Sequence, residues 1–456
     1  VVTLLDQVAG QPPRRDHVDP LGRLTPLACD AAAWAITAGH PEQAVELLEH
    51  GRGVLLARSL DPASRDAASR DSGSRDAASR DAGSRDPPQA GPPLPFGTLR
   101  EAAAGGPVVI INVSAYRCDA LTVTPAGVQV TGLPALTAAE VSGRATDFVV
   151  ALLRRHDKDP AKRAAARATL AQTLAWLWDT VLTPLKPVLE ATATPAPGGT
   201  PPRGPARVWW CPTGPMTFLP LHAAARPGEP DHAVAASFVS SYAPTLSLLR
   251  VARAAAGPAA GHSGRPLVVA LPASLGRGFR PGARQEGRAV ARRLGGAVLL
   301  RGSRATAAAV TQRLAAGAPW AHFACRGTQN VGDPAAGRLV LYGGSLRAGE
   351  ISGLGLAGAE LAVLPACEAV LGGTRLADEA VTLAAAFGRA GYRHVIGTLW
   401  RPDGDVPVAE QVYAELGPPG GPAPDAAAAL HRATEALRRA HSDEPWRWAP
   451  YIHIGP

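Results

Sequence analysis

Residues 320–330 read WAHFACRGTQN and residues 360–373 read ELAVLPACEAVLGG. Each is a short apolar run that stops at small or polar residues, the pattern of a strand buried on both faces of a parallel sheet. Two such strand ends can bring a nucleophile and a base to one edge. The second run supplies Cys367. The first would supply a histidine beside Gly327 and supplies Arg326 instead.

Working outward, the same alternation continues. Apolar runs (RVWWCPTG, PLVVALP, AVLLRG, GRLVLYGG, HVIGTLW) are separated by amphipathic stretches (ARQEGRAVARRLG, TAAAVTQRLAAG, ADEAVTLAAAFGRAG, DVPVAEQVYAEL, DAAAALHRATEALRRA). This predicts an α/β fold with a mainly parallel sheet and helices on both faces. Ligands of such sheets bind outside the carboxyl ends of the strands, where ACRG and PACEA fall. Further upstream, PVVIINVS reads as a buried strand and CDALTVTPAGVQVTGL as a hairpin turning at Pro-Ala-Gly. Residues 136–192 carry a helical apolar spacing that includes Leu170, Leu174, Leu177 and Val181. ATATPAPGGTPPRGPA reads as a loop.

Nearer the N-terminus, residues 21–60 predict two helices around a GHPEQ turn, with Pro41 in a first helical turn where its missing N–H costs nothing. That pattern fits one tetratricopeptide-like unit, the last of an array, since stacked repeats need neighbours. Next come five copies of Ser-Arg-Asp at a five-residue period over residues 64–86. The stretch has no large apolar residue to offset its ordering entropy, so it reads as a solvated, disordered linker. The expected organisation is a helical hairpin over 1–61, a linker over 62–94 and an α/β domain over 95–456.

Composition narrows the function. The 456 residues are 46% apolar, enough for sizeable cores, and carry a formal charge of +8. Lys158, Lys162 and Lys186 are the only lysines; the other basic residues are arginines, dispersed among acids, within an Ala-, Gly- and Pro-rich chain. That pattern argues against nucleic acid as a partner. Cys29, Cys118, Cys211, Cys325 and Cys367 show no CxxC spacing, which argues against a zinc ribbon or a disulfide framework and for a reducing, cytoplasmic setting. No run of about 18 apolar residues appears, so no membrane span is expected. VVTLLDQVAGQPPRRD lacks the uninterrupted apolar core of a signal peptide. No P-loop motif is present and no cofactor is implied.

A thiolate nucleophile needs a base or cation to lower its pKa, and donors for the oxyanion formed on attack. The N–H of Cys367 can be one donor. Gly327, without a Cβ, lets a substrate carbonyl approach its N–H closely and offers the second. Cys325 should face the core, because successive strand residues point to opposite faces.

These motifs resemble the CHAT domain family of the caspase–separase clan of cysteine peptidases, often found after tetratricopeptide repeats. The family pattern runs HFAxHG, LSACxT, a DE helix and GTLW. This chain has HFACRG, LPACEA, LADEAVTLAAAFGRAG and GTLW in that order, and the likeness extends over residues 107–456 in an actinobacterial-looking form. The resemblance implies a caspase-like fold, Cys367 as nucleophile, no metal, and a protein or peptide as substrate or partner. It also implies that Asp378, Glu379, Trp400 and His322 line or support the site. Asp378 and Glu379 equally suit the first turn of a helix, and His322 and Trp400 equally suit packing.

Two departures bear on function. Arg326 stands where the family has its histidine. A guanidinium stays charged and cannot accept a proton, although it could hold a thiolate or pair with Glu368 or Asp378. Pro365 replaces a serine and places a proline in what reads as a central strand. The expected function is therefore an impaired cysteine-peptidase homologue serving as a regulatory or protein-binding module. The alternative is an active endopeptidase that pairs Cys367 with another base, His222 or His394 first among them. In RPDGD, Asp403 or Asp405 could meet a basic substrate residue.

Overall fold

The computed structural model describes residues 24–59, 93–193, 205–229, 232–255, 264–271, 282–330, 333–365, 367–368, 382–403, 408–419 and 425–456. The Ser-Arg-Asp stretch and the 194–204 loop lie outside these residues.

The N-terminal pair of helices is α1 (Leu24–Thr37) and α2 (Pro41–Ser59). Strands β1 (Val108–Val113), β2 (Cys118–Thr124) and β3 (Gly127–Gly132) form an antiparallel meander. Helices α3 (Ala138–Arg154), α4 (Pro160–Leu177) and α5 (Thr183–Ala193) follow. Their starts were written into the sequence: Thr137 accepts from the Glu140 N–H, and Asp159 accepts from Ala161 with Pro160 next in line. Between α4 and α5 the turns widen to a π-helix over Trp178–Leu182. Pro184, just beyond it, has no N–H to continue the α-helical ladder.

Next come β4 (Ala206–Pro212), β5 (Phe238–Tyr242) and α6 (Leu246–Ala254), then β6 (Leu267–Ala270), α7 (Ala283–Arg293), β7 (Val298–Arg301), α8 (Ala307–Ala315) and β8 (Trp320–Ala324). A smaller run holds β9 (Gly327–Asn330), β10 (Asp333–Leu341) and β11 (Gly344–Arg347). The chain closes with β12 (Leu361–Val363), β13 (Cys367–Glu368), α9 (Thr382–Ala390), β14 (His394–Thr398), α10 (Val408–Leu416), α11 (Ala426–Ala440) and β15 (Tyr451–Ile454).

The main sheet has the order β3-β2-β1-β4-β5-β15-β14-β12-β8-β6-β7. It comprises two parallel blocks that run in opposite directions. β1, β4, β5 and β15 are mutually parallel, as are β14, β12, β8, β6 and β7, and the blocks meet at an antiparallel seam between β14 and β15. The sheet is thus mainly parallel, as expected, but its two halves present their carboxyl ends at opposite edges. β1, β6, β8, β12 and β14 are buried at every position, which explains their continuous apolar sequences.

Helices cover both faces. α3, α4, α5, α8 and α9 share one core with side chains such as Phe148, Leu174, Leu185, Leu314 and Phe387. On the other face, α7, α10 and α11 bury Val290, Val412 and Leu430 over the second block. The remaining part of that face is covered by α1 and α2: Cys29, Ala32, Val45 and Leu48 pack with Ile110, Leu121, Trp209 and Leu246. Polar ties reinforce this docking. Glu49 accepts from the Leu246 and Ser247 N–H groups at the start of α6, each at 2.8 Å, and Arg52 Nε donates to the Pro244 carbonyl at 2.8 Å.

Candidate active site at the second sheet

Strands β8 and β12 are parallel neighbours in the main sheet, with Val363 opposite His322. Both chains leave the sheet at that edge and meet again beyond it. β9 and β13 pair in parallel, setting Cys367 against Gly327 and Glu368 against Thr328, at the end of a second sheet ordered β11-β10-β9-β13. Cys367 and Gly327 are therefore partners across one ladder, on short strands of their own rather than at the tips of main-sheet strands. The small, polar sequences GTQN and CE allow this, because neither has an apolar face to bury in the main core.

Arg326 is the residue between the two sheets that precedes Gly327. Its backbone carbonyl accepts from the Val340 N–H at 2.8 Å, which ties this corner to β10. The neighbouring Cys325 is buried within the core on the α3/α9 face. Pro365 falls after β12, not inside it. The last pairing bond of that strand runs from the Leu364 N–H to the Ile396 carbonyl at 2.7 Å, so the proline removes no sheet donor. The expectation of a proline within a central strand is thereby corrected.

The other expected site residues divide. His322 is fully buried on β8, with Nδ1 3.2 Å from the Tyr413 hydroxyl and Nε2 3.2 Å from a Glu286 carboxylate oxygen. Trp400 is buried and donates to the Trp446 carbonyl at 3.3 Å, edge-on to Phe148 at 5.4 Å between ring centroids. Asp378, Glu379 and Asp405 lie outside the described residues. Asp403, suggested as a receptor for a basic substrate residue, is already paired with Arg155. Arg155 donates to both its oxygens, from Nε at 3.1 and 3.2 Å and from a terminal nitrogen at 2.5 Å, and His156 Nε2 is 2.5 Å from Oδ2. Both partners of the Arg155–Asp403 pair are mostly buried. Arg155 precedes Asp403 by 248 residues, and no local sequence signal links them.

The two alternative bases are engaged in the first block and its seam. His222 hydrogen-bonds the Tyr242 hydroxyl through Nδ1 at 2.8 Å and the Ala449 carbonyl through Nε2 at 3.0 Å. Burial lowers its pKa to about 4. His394 Nδ1 is 3.0 Å from His453 Nε2, and His453 Nδ1 is 2.8 Å from Ser241 Oγ. Burial first, then the nearby Arg393 and Arg207, lowers His394 to about 3, and burial with His394 alongside pushes His453 well below the usual imidazole range. This buried Ser241–His453–His394 chain was missed in the sequence, because β5 and β15 are short and not continuously apolar. Among the described residues, no group of three or more His, Cys, Asp or Glu is placed to hold a metal ion, and no helix is long and apolar enough to cross a membrane.

A family model for the CHAT domain matches residues 171–456. Two crystal structures of the separase–securin complex from Saccharomyces cerevisiae, at 3.0 and 2.6 Å resolution, match over 100% of this chain, with TM-scores of 0.59 and 0.57 and 9% identity in both. The chain spans 37% of the length of the chain it matches in each. At that identity the likeness is one of fold. No curated protein matches the sequence.

Proposed function

The chain belongs to the CHAT domain family and has a separase-like fold, and from that premise we propose that it is a cysteine-peptidase homologue with an impaired catalytic pair, acting as a regulatory, protein-binding module. The observation that carries this reading is Arg326. It precedes Gly327, and Gly327 is the ladder partner of Cys367, so the residue at the family's histidine position is a guanidinium. Such a group can stabilise a thiolate by charge. It cannot take a proton and return it to a leaving amine, a step worth roughly 10²–10⁴-fold in rate.

The histidines support the same reading. His222, His394 and His453 are held neutral in hydrogen bonds of the first block and the seam, and His322 is buried against Tyr413. Each would have to leave a buried partner to serve Cys367. Asp403, neutralised by Arg155, is not available to a basic substrate residue unless that pair opens. Separase in the matched structures is bound to a protein, securin, and a protein partner is proposed here too, within a cytoplasmic setting. The division into a hairpin over 1–61, a linker over 62–94 and a CHAT domain over 95–456 belongs to this proposal. Its support upstream of residue 171 is that β1–β3 share the main sheet with β4–β8.

The test is turnover of a peptide library by the purified chain, beside Arg326→His and Cys367→Ala. The reading expects little or no cleavage by the chain as it stands and thiol-dependent cleavage by Arg326→His alone. Robust wild-type cleavage that disappears in Cys367→Ala would establish the alternative, an active endopeptidase with another base.

A further inference from the structure

At the outer end of the second block, four arginines line one hollow. Arg284 and Arg288 are four residues apart on α7, hence on one face of it. Arg301 ends β7, and Arg304 closes the short 3₁₀ turn Gly302–Arg304. The floor is Ala270, the last residue of β6, and Leu299; the hollow measures about 470 Å³. All four arginines are exposed. Among the described residues, none makes a side-chain hydrogen bond or ion pair.

What distinguishes the four is that they gather around one hollow, not that each lacks a partner. Arg117, Arg155, Arg207, Arg226, Arg432, Arg438 and Arg439 each lie within 4 Å of a carboxylate. Among the described lining residues there is no acid, so the four cations repel one another and an anion relieves that repulsion. The position agrees with the topology. β6 connects outward to β7 through α7, which packs on one face, and β7 connects back to β8 through α8, which packs on the other. The chain thus reverses direction around β6, and the hollow opens at the carboxyl ends of β6 and β7, the edge where open α/β sheets take ligands. α7 also begins there, with N–H groups that favour negative charge.

We propose that this hollow binds a small polyphosphorylated ligand. Guanidinium forks match phosphate oxygens two at a time, and arginine supplies all four cations. The volume suits a small molecule rather than a polymer. The four arginines gather around one open hollow, not along the stripe that tracks a nucleic-acid backbone. The site is separate from Cys367, and binding does not depend on whether the chain cleaves peptides.

The experiment is calorimetric titration of the full chain with orthophosphate, pyrophosphate and tripolyphosphate, using tripolyphosphate as the principal probe. The expected result is saturable one-to-one binding that tightens as phosphates are added. Arg284→Gln/Arg288→Gln and Arg301→Gln/Arg304→Gln should each weaken tripolyphosphate at least tenfold with an unchanged melting temperature. Arg439→Gln, on α11, should leave binding as in the parent. A single-site Arg304→Gln variant, weakened about threefold or more, keeps the test decisive if a double variant fails to fold. Absence of saturable binding overturns the proposal, as does equal weakening by Arg439→Gln. So does tighter binding of a duplex oligonucleotide or a poly-glutamate peptide than of tripolyphosphate.

Discussion

The two places where this chain gathers chemistry are built in opposite ways. At the second sheet, Cys367 and Gly327 face each other across a ladder of a few residues, on strands with polar sequences, and the residue beside the glycine is an arginine. At the seam between the two parallel blocks, Ser241, His453 and His394 form a hydrogen-bonded line inside the sheet, each of them buried. One region holds the proposed nucleophile, with an arginine next to its ladder partner where the proposed base would stand. The other has histidines whose protons serve packing. Residue inventory alone would credit this protein with every group a cysteine peptidase needs. Placement separates them, because a general base must reach the proton it takes.

The largest effect should come from correcting that separation. Arg326→His is expected to raise thiol-dependent peptide turnover by roughly 10²–10⁴-fold over the parent chain. A folded Arg326→His protein with no gain would mean that the pocket, and not only the base, has diverged.

The seam should respond to acid, with a determinate sign. His394, at about 3, and His222, at about 4, are neutral in the folded protein at pH values where an unfolded histidine, near 6.5, is protonated. His453 is depressed as well. Below pH 6.5 the unfolded state therefore binds more protons, and stability is lost as pH falls toward the folded values. From pH 6.5 to 5.5 the loss should be roughly 2–3 kcal/mol, about 1 kcal/mol for each histidine. Denaturant titrations at several pH values measure it. A flat profile would break the contrast between the two regions. Within the line, one nitrogen of the His394–His453 contact must accept, so a second proton would set N–H against N–H. His453→Gln should accordingly flatten the acid limb while costing about 1–3 kcal/mol at neutral pH.

A smaller effect tests how the hairpin is attached. Glu49 holds two N–H groups at the start of α6, and Thr245 caps the same helix by accepting from Leu248. Thr245→Ala should cost about 1 kcal/mol. Glu49→Gln should cost a similar amount or somewhat more, since it removes a charge from the helix N-terminus. Cooperative loss of the whole fold in thermal melts of Glu49→Gln would mark the hairpin as a layer of the sheet domain. An early separate transition would mark it as a distinct unit.

How much of this could be read from sequence follows from burial. β6, β8, β12 and β14 were legible because strands covered on both faces must be continuously apolar, and α3, α4 and α11 because their apolar residues recur at helical spacing. The adjacency of Cys367 and Gly327 was legible as two strand ends about forty residues apart. The seam was not: β15 is four residues long, and hydropathy says nothing about strand direction. The second sheet was not told apart from the first: GRLVLYGG reads as one more strand of the mainly parallel sheet but forms β10, paired antiparallel in the second sheet, and GTQN and CE carry no apolar alternation. The Arg155–Asp403 pair joins residues 248 positions apart, a contact that only the folded chain creates.

The most direct measurement is peptide-library turnover by the unaltered chain, with Cys367→Ala as control. The two should be indistinguishable, because Arg326 cannot move a proton for Cys367. Cleavage by the unaltered chain that vanishes in Cys367→Ala would contradict it.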